Sequence, residues 1–242
     1  MNRHIPHRSA GAPARFAVFW VLSAVATAGA AGDLAGREAP YTRMAPLEQY
    51  LMDPSAEIAL ARSAAPAAIS ATATILTLKP QGYETAVTGT NGFTCVVERS
   101  WMAPFDSAEF WNPKMRAPIC YNPSASRSIL KYTLKRTELA LSGDSRERML
   151  DEMRGAFARN ELPQPEPGAM SFMMSRDGYL GDAQGHWHSH LMFHVPKAAA
   201  ATWGANAPGS PVVLDERPTP EPQTIFLVPV GHWSDGTEAP AL

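Results

Sequence analysis

Apolar residues fall along this chain in short runs of differing period, and the periods predict the elements. Asp53-Pro54 supplies a cap and a first-turn proline. Ile58, Leu60 and Ala61 follow at helical spacing until Pro66, which predicts a helix over about 54–64. A short helix is expected before it, over 46–52. From 72 to 100 the pattern changes to β-branched and alternating residues, with strands expected over 72–78, 83–88 and 93–99. Pro80-Gln81-Gly82 marks the first turn, and Gly89-Thr90-Asn91-Gly92 reads as a hairpin between the second and third.

Residues 101–122 carry Pro104, Pro113 and Pro118 among Trp101, Phe105, Phe110 and Trp111. They read as an irregular loop wrapped on the sheet, with one helical turn started by Asp106 and Glu109. Asn122-Pro123 then opens a helix through Ile129, Leu130, Leu134 and Leu139 to near Gly143. Asp144 with Glu147 restarts another, through Met149, Met153 and Phe157 to Asn160. Strands are expected over 169–175, 186–195, 212–214 and 225–228, with a short alanine-rich helix over 196–203. Runs of strands beside a few helices predict an α+β fold: one domain with a mainly antiparallel sheet, flanked by helices and long Pro-rich loops.

The segment 186–195 carries the most pointed chemistry. His186, His188, His190 and His194, with Met192, all have even numbers, so an extended strand turns them to one face. Trp187, Ser189, Leu191, Phe193 and Val195 take the other face, which is expected to pack on the core. Alternate imidazoles, about 7 Å apart at ~3.3 Å per residue, can lean toward one metal ion. His188 and His190 are therefore the central candidate ligands, and His186 and His194 auxiliaries. Zn or Cu suits such a donor set. Further donors would come from Asp177, Asp182 or His232. Solvated or hydrogen-bonded histidines are the alternative. His232, Ser234 and Asp235 lie too close in sequence for a catalytic triad and read as an ordinary loop.

Composition narrows the classes. The 242 residues are 45% hydrophobic and 18% charged, which is globular, and 22 prolines nearly double the usual ~5%. A net charge of −2 offers no basic excess for nucleic acid. Arg3, Arg8 and Arg15 precede an apolar run of 13 residues, Phe16–Ala28, and small residues follow. That is the pattern of a signal peptide over 1–30, cleaved after Ala28 or Ala30, with a single exported domain over 31–242 and no membrane span left after cleavage. The mature net charge would be −5. In an exporting compartment Cys95 and Cys120, the only cysteines, are expected to form a disulfide, in preference to a Cys–His hydrolase site.

Gly89-Thr90-Asn91-Gly92-Phe93 with Cys95, Phe110-Trp111-Asn112-Pro113, Ala117-Pro118-Ile119-Cys120, His188-Ser189-His190-Leu191-Met192-Phe193 and Trp233-Ser234-Asp235-Gly236-Thr237 together resemble an uncharacterised family of exported bacterial proteins. The resemblance spans most of 55–237. It implies an exported single-domain protein, carries no activity, and includes His188 and His190 in its motifs.

Two functions follow as expectations. The first is an exported protein that binds a transition metal through its His-rich strand. The second is a non-catalytic, disulfide-stabilised binding or structural protein, with Trp101, Trp111 and Trp187 lining a pocket or filling the core. The partner in either case is an unidentified small molecule or protein.

Overall fold

Asp53 does cap the first helix: its carboxylate accepts from the Ser55 and Ala56 amides, and α1 runs Pro54–Arg62. A computed structural model describes residues 41–182, 187–196, 202–210, 212–214 and 219–240. The signal-peptide segment and His186 lie outside the described residues. So do 197–201, most of the expected alanine-rich helix.

The remaining helices are α2 (Ala67–Ser70), α3 (Pro123–Arg127), α4 (Leu130–Leu141) and α5 (Arg146–Ala158). The strands are β1 (Thr74–Lys79), β2 (Gly82–Val87), β3 (Thr94–Glu98), β4 (Ala117–Tyr121), β5 (Met170–Met173), β6 (His190–Pro196), β7 (Val213–Leu214) and β8 (Gln223–Pro229). They form one sheet in the order β2-β1-β3-β4-β5-β6-β8-β7. Every neighbouring pair is antiparallel except β1 with β3. The fold is the expected α+β class, with helices covering both sheet faces. Leu76, Leu78, Val96, Ile119 and Tyr121 face Trp101 and the α4–α5 residues Tyr132, Met149 and Met153. Ile75, Cys95, Val97 and Cys120 turn the other way, toward Ala61, Ala64 and Ala65 at the end of α1.

Four elements depart from the sequence reading. The Asn91-Gly92 turn is not a hairpin. It carries the chain past the start of β1, so that β3 lies parallel to β1 with Ile75 beside Cys95. The loop is fastened to the start of β1 and the residues before it: Thr90 N–H donates to Thr72 (2.8 Å), Thr74 N–H to Phe93 (2.9 Å), and Asn91 Nδ2 to the Ile69 carbonyl (2.7 Å). Gly89 permits this approach, since a Cβ there would stand 2.2 Å from Thr74 N.

The second departure is β4, which the prolines disguised. Pro118 pairs with Val97, but β5 reaches only Cys120 and Tyr121, so the missing N–H of Pro118 lies where β4 has one neighbour. Third, the helix expected from 123 to 143 is broken into α3 and α4 near Ser128, whose hydroxyl bonds back to the Ser124 carbonyl at 2.8 Å. Fourth, Ser145, not Asp144, caps α5; Asp144 instead pairs with Arg148 at 2.9 Å. Residues 47–49, at the expected early helix, make one 3₁₀ turn.

Two cations are buried with carboxylates. Arg99 and Glu57 are fully enclosed and 2.7 Å apart. Arg99 also donates Nε to the Tyr50 carbonyl (2.7 Å) and Nη1 to the Val97 carbonyl, while the Leu78 amide donates to Glu57. Arg136 on α4 joins Glu221 at 2.7 Å, spends Nη1 on the carbonyls of Trp101 and Ala103, and lies over the Phe105 ring at 4.2 Å. Breaking such a pair strands one charge in the interior. Glu221→Gln is accordingly expected to cost about 3–5 kcal/mol in denaturant unfolding, whereas Lys135→Gln, in an exposed pair, should cost under about 1 kcal/mol.

Cys95 and Cys120 stand opposite each other in the β3–β4 ladder and form the expected disulfide across 25 residues of sequence. Both are fully buried. In the native protein the bond should resist a thiol reductant and yield only after denaturant is added. Reduction should then lower stability by roughly 3–4 kcal/mol, the loop-closure value, which denaturant titration with and without reductant measures.

Candidate histidine site

β6 begins at His190, so the paired strand is shorter than the sequence suggests. Its alternation holds: His190, Met192 and His194 lie opposite Met173, Ser171 and Ile225. The direction is reversed, however. The even positions point to the face that carries Tyr121 and Met173, the inner face packed by α4 and α5. His194 is 3% exposed, while Leu191, Phe193 and Val195 on the other side are only half-buried. Phe193 and Phe226 on that side meet the exposed ring of Trp203, at 5.8 and 4.7 Å. From His190 to His194 the expected outward imidazole face is therefore a core-facing one, whereas His188 ahead of it is exposed. The physical reason is that His194 finds two polar partners inside, which makes its burial affordable.

Those partners use both ring nitrogens. Nε2 meets Ser171 Oγ at 3.0 Å and Nδ1 meets Gln223 Oε1 at 3.0 Å. An amide oxygen only accepts, so Nδ1 carries the proton and the Ser171 hydroxyl donates to Nε2. Burial pushes the imidazole down to about 4, and the ring is neutral at pH 7. His194 thus has no lone pair left for a metal. The Ser–His–Gln geometry resembles an activated nucleophile, yet Ser171 is fully buried, out of reach of a substrate.

Ahead of the strand Val230 N–H still donates to the Ser189 carbonyl at 2.9 Å, and Trp187 and Ser189 are buried while His188 is exposed. Trp187, 5% exposed, donates Nε1 to the Ser175 carbonyl and contacts the His190 ring edge-on at 6.0 Å. Ser189 donates Oγ to the His232 carbonyl at 2.6 Å. His188 is exposed, and its carbonyl lies 2.6 Å from His190 Nδ1. A carbonyl only accepts, so His190 donates from Nδ1 and carries its lone pair on Nε2. Burial lowers its pKa.

The other expected donors are engaged elsewhere. Asp182 accepts from Tyr41 at 2.6 Å and from Tyr179, Asp177 is an exposed partner of Arg176, and Asp235 accepts from the amide and hydroxyl of Thr237. Residues 232–236 form a loop, as expected. Among the described residues no three His, Cys, Asp or Glu side chains come together to hold a metal. None of the described helices is long and apolar enough to cross a membrane.

The sequence reading missed two polar sets. One is Ser171–His194–Gln223. The other surrounds Glu98 on β3, which accepts from Tyr121 and from Thr133 at 2.7 Å; burial raises its carboxyl pKa. A polar residue at an inward strand position is the signal that could have found both. Of the tryptophans, Trp101 fills the core and donates Nε1 to Thr137 at 3.0 Å, and Trp187 is buried. Trp111 edges a cavity of about 340 Å³ with Arg43 and Asp144. A second cavity, of about 320 Å³, lies between Phe105, Leu150 and Arg154. Basic and acidic side chains balance in both.

The Ser171 contact can be weighed directly. Ser171→Ala leaves Nε2 of His194 buried without a donor and should cost about 1–3 kcal/mol, read from the unfolding midpoint. No family profile, curated protein or solved structure matches the chain.

Proposed function

We propose that this is an exported protein whose disulfide-braced sheet serves as a non-catalytic scaffold for binding a small molecule or another protein. The observation that carries the reading is the Cys95–Cys120 bond. It is sealed between two central strands, and a chain with that bond built into its core folds in an oxidising compartment. The basic, apolar and small-residue pattern of 1–30 supplies the route there. The interior ionisable groups support the scaffold part: Glu57, Glu98, Arg99, Arg136, His194 and Glu221 are each held by structural partners. Mass spectrometry of protein made from the full gene in a bacterium tests this. A chain lacking the first 28 or 30 residues, recovered outside the cytoplasm with both cysteines oxidised, is the expected result. An intact chain with two free thiols inside the cell would overturn it.

One observation favours a second reading, a transition metal at the start of β6. The Nδ1–H bond to the His188 carbonyl fixes the His190 ring and leaves Nε2 as a lone-pair donor, the way metal-bound histidines are oriented. With His188 that makes two imidazoles, half of a tetrahedral set. Elemental analysis of untagged protein decides it. Zinc or copper near one per chain, lost in His190→Ala and retained in His194→Gln, would establish this reading; metal-free protein would remove it.

A further inference from the structure

The sheet is held together unevenly. β3 and β4 share five residue pairs and the disulfide, and β6 and β8 share seven pairs. Between these two well-knit parts stands β5, which meets β4 at only two pairs and β6 at four. His194, on β6, joins its two neighbouring strands through side chains, to Ser171 of β5 on one side and to Gln223 of β8 on the other.

We propose that His194 is an acid-operated latch: its protonation releases β5, β6 and β8 while the disulfide-tied half of the sheet stays closed. On protonation both ring nitrogens become donors. Gln223 can still accept from Nδ1, but the Ser171 hydroxyl loses its acceptor and must turn. A positive charge then sits in a buried position, and among the described residues no carboxylate is hydrogen-bonded to the ring. Among the described residues, burial and the Gln223 hydrogen bond are the influences on the ring. Of the described charged residues near β5 and β8, Arg127 pairs with Glu166 at 2.7 Å, Arg136 with Glu221 at 2.7 Å and Arg176 with Asp235 at 3.3 Å. On β6 itself the titratable group on the same face is His190.

The sign follows from linkage. The closed state holds His194 well below its ordinary 6.5, whereas an opened strand lets it titrate normally. Opening therefore becomes easier as pH falls from about 6.5 toward 4, and full closure returns above that window. Glu98 works oppositely in the other half. Its carboxyl pKa is raised by burial, so the folded state takes up that proton more readily than the unfolded chain, and acid firms the β3–β4–α4 packing. The two halves respond to acid in opposite directions.

Hydrogen exchange followed by mass spectrometry on the mature protein, corrected for the intrinsic pH dependence of exchange, tests the latch. Between pH 7 and pH 4.5, exchange over 170–173, 190–196 and 223–229 should accelerate on the order of tenfold or more, relative to 74–79, 94–98 and 117–121. Gln223→Glu places a carboxylate against Nδ1 and should suppress the acceleration. His194→Gln should abolish it. Exchange that rises equally over all strands would overturn the proposal, and so would an unchanged acid response in both variants.

Discussion

The alignment of Cys95 with Cys120 is the constraint on which the rest of the architecture depends. Side chains alternate along a strand, so fixing one cross-strand pair assigns every residue of β3 and β4 to a face. Val96 and Ile119 then go to the α4–α5 side, and Val97 and the cystine to the α1 side. β1 follows through its contact with β3, and β5 through Tyr121 and Ser171. Through β5 the same assignment reaches β6 and decides that His194 points inward.

Buried charge is the second organising element. Arg99 ties α1 to the end of β3 and to the Tyr50 turn, and Arg136 ties α4 to the 101–103 turn and to the chain entering β8. A guanidinium offers several donors in one plane, so each arginine satisfies carbonyls that no strand or helix would reach. In a chain so rich in proline, many carbonyls lie outside regular ladders. The arginines supply the partners that regular secondary structure would otherwise provide.

Much of this was legible in the sequence where a local rule acts alone. Asp53-Pro54 starts a helix, β-branched residues give β1, and the two cysteines pair. The departures occur where a distant neighbour decides. Asn91-Gly92 has hairpin chemistry, but Gly89 lets the loop lie on the Thr72–Thr74 backbone, and β3 goes elsewhere. Pro118 argues against a strand until one knows that β5 stops short of it. The histidines show the same limit: alternation groups His190, Met192 and His194, but nothing in their spacing says which face the helices cover. That depends on Ser171, nineteen positions earlier than His190, and on Gln223 beyond it. His188 and His190 are linked by a hydrogen bond from the His190 ring to the His188 carbonyl at the start of β6, which a strict two-residue period does not anticipate.

The shortness of β5 also bears on how the molecule would yield under load. Tension applied from the C-terminal end would peel β8 and β6 from the thin seam beside β4 before it reached the cystine. There the 25-residue segment between the two half-cystines is shunted by a covalent link, and about 85 Å of contour, at ~3.4 Å per residue, never pays out. Such a chain has a built-in stop: the extensible part lies wholly outside the knot of strands that carries its only covalent cross-link.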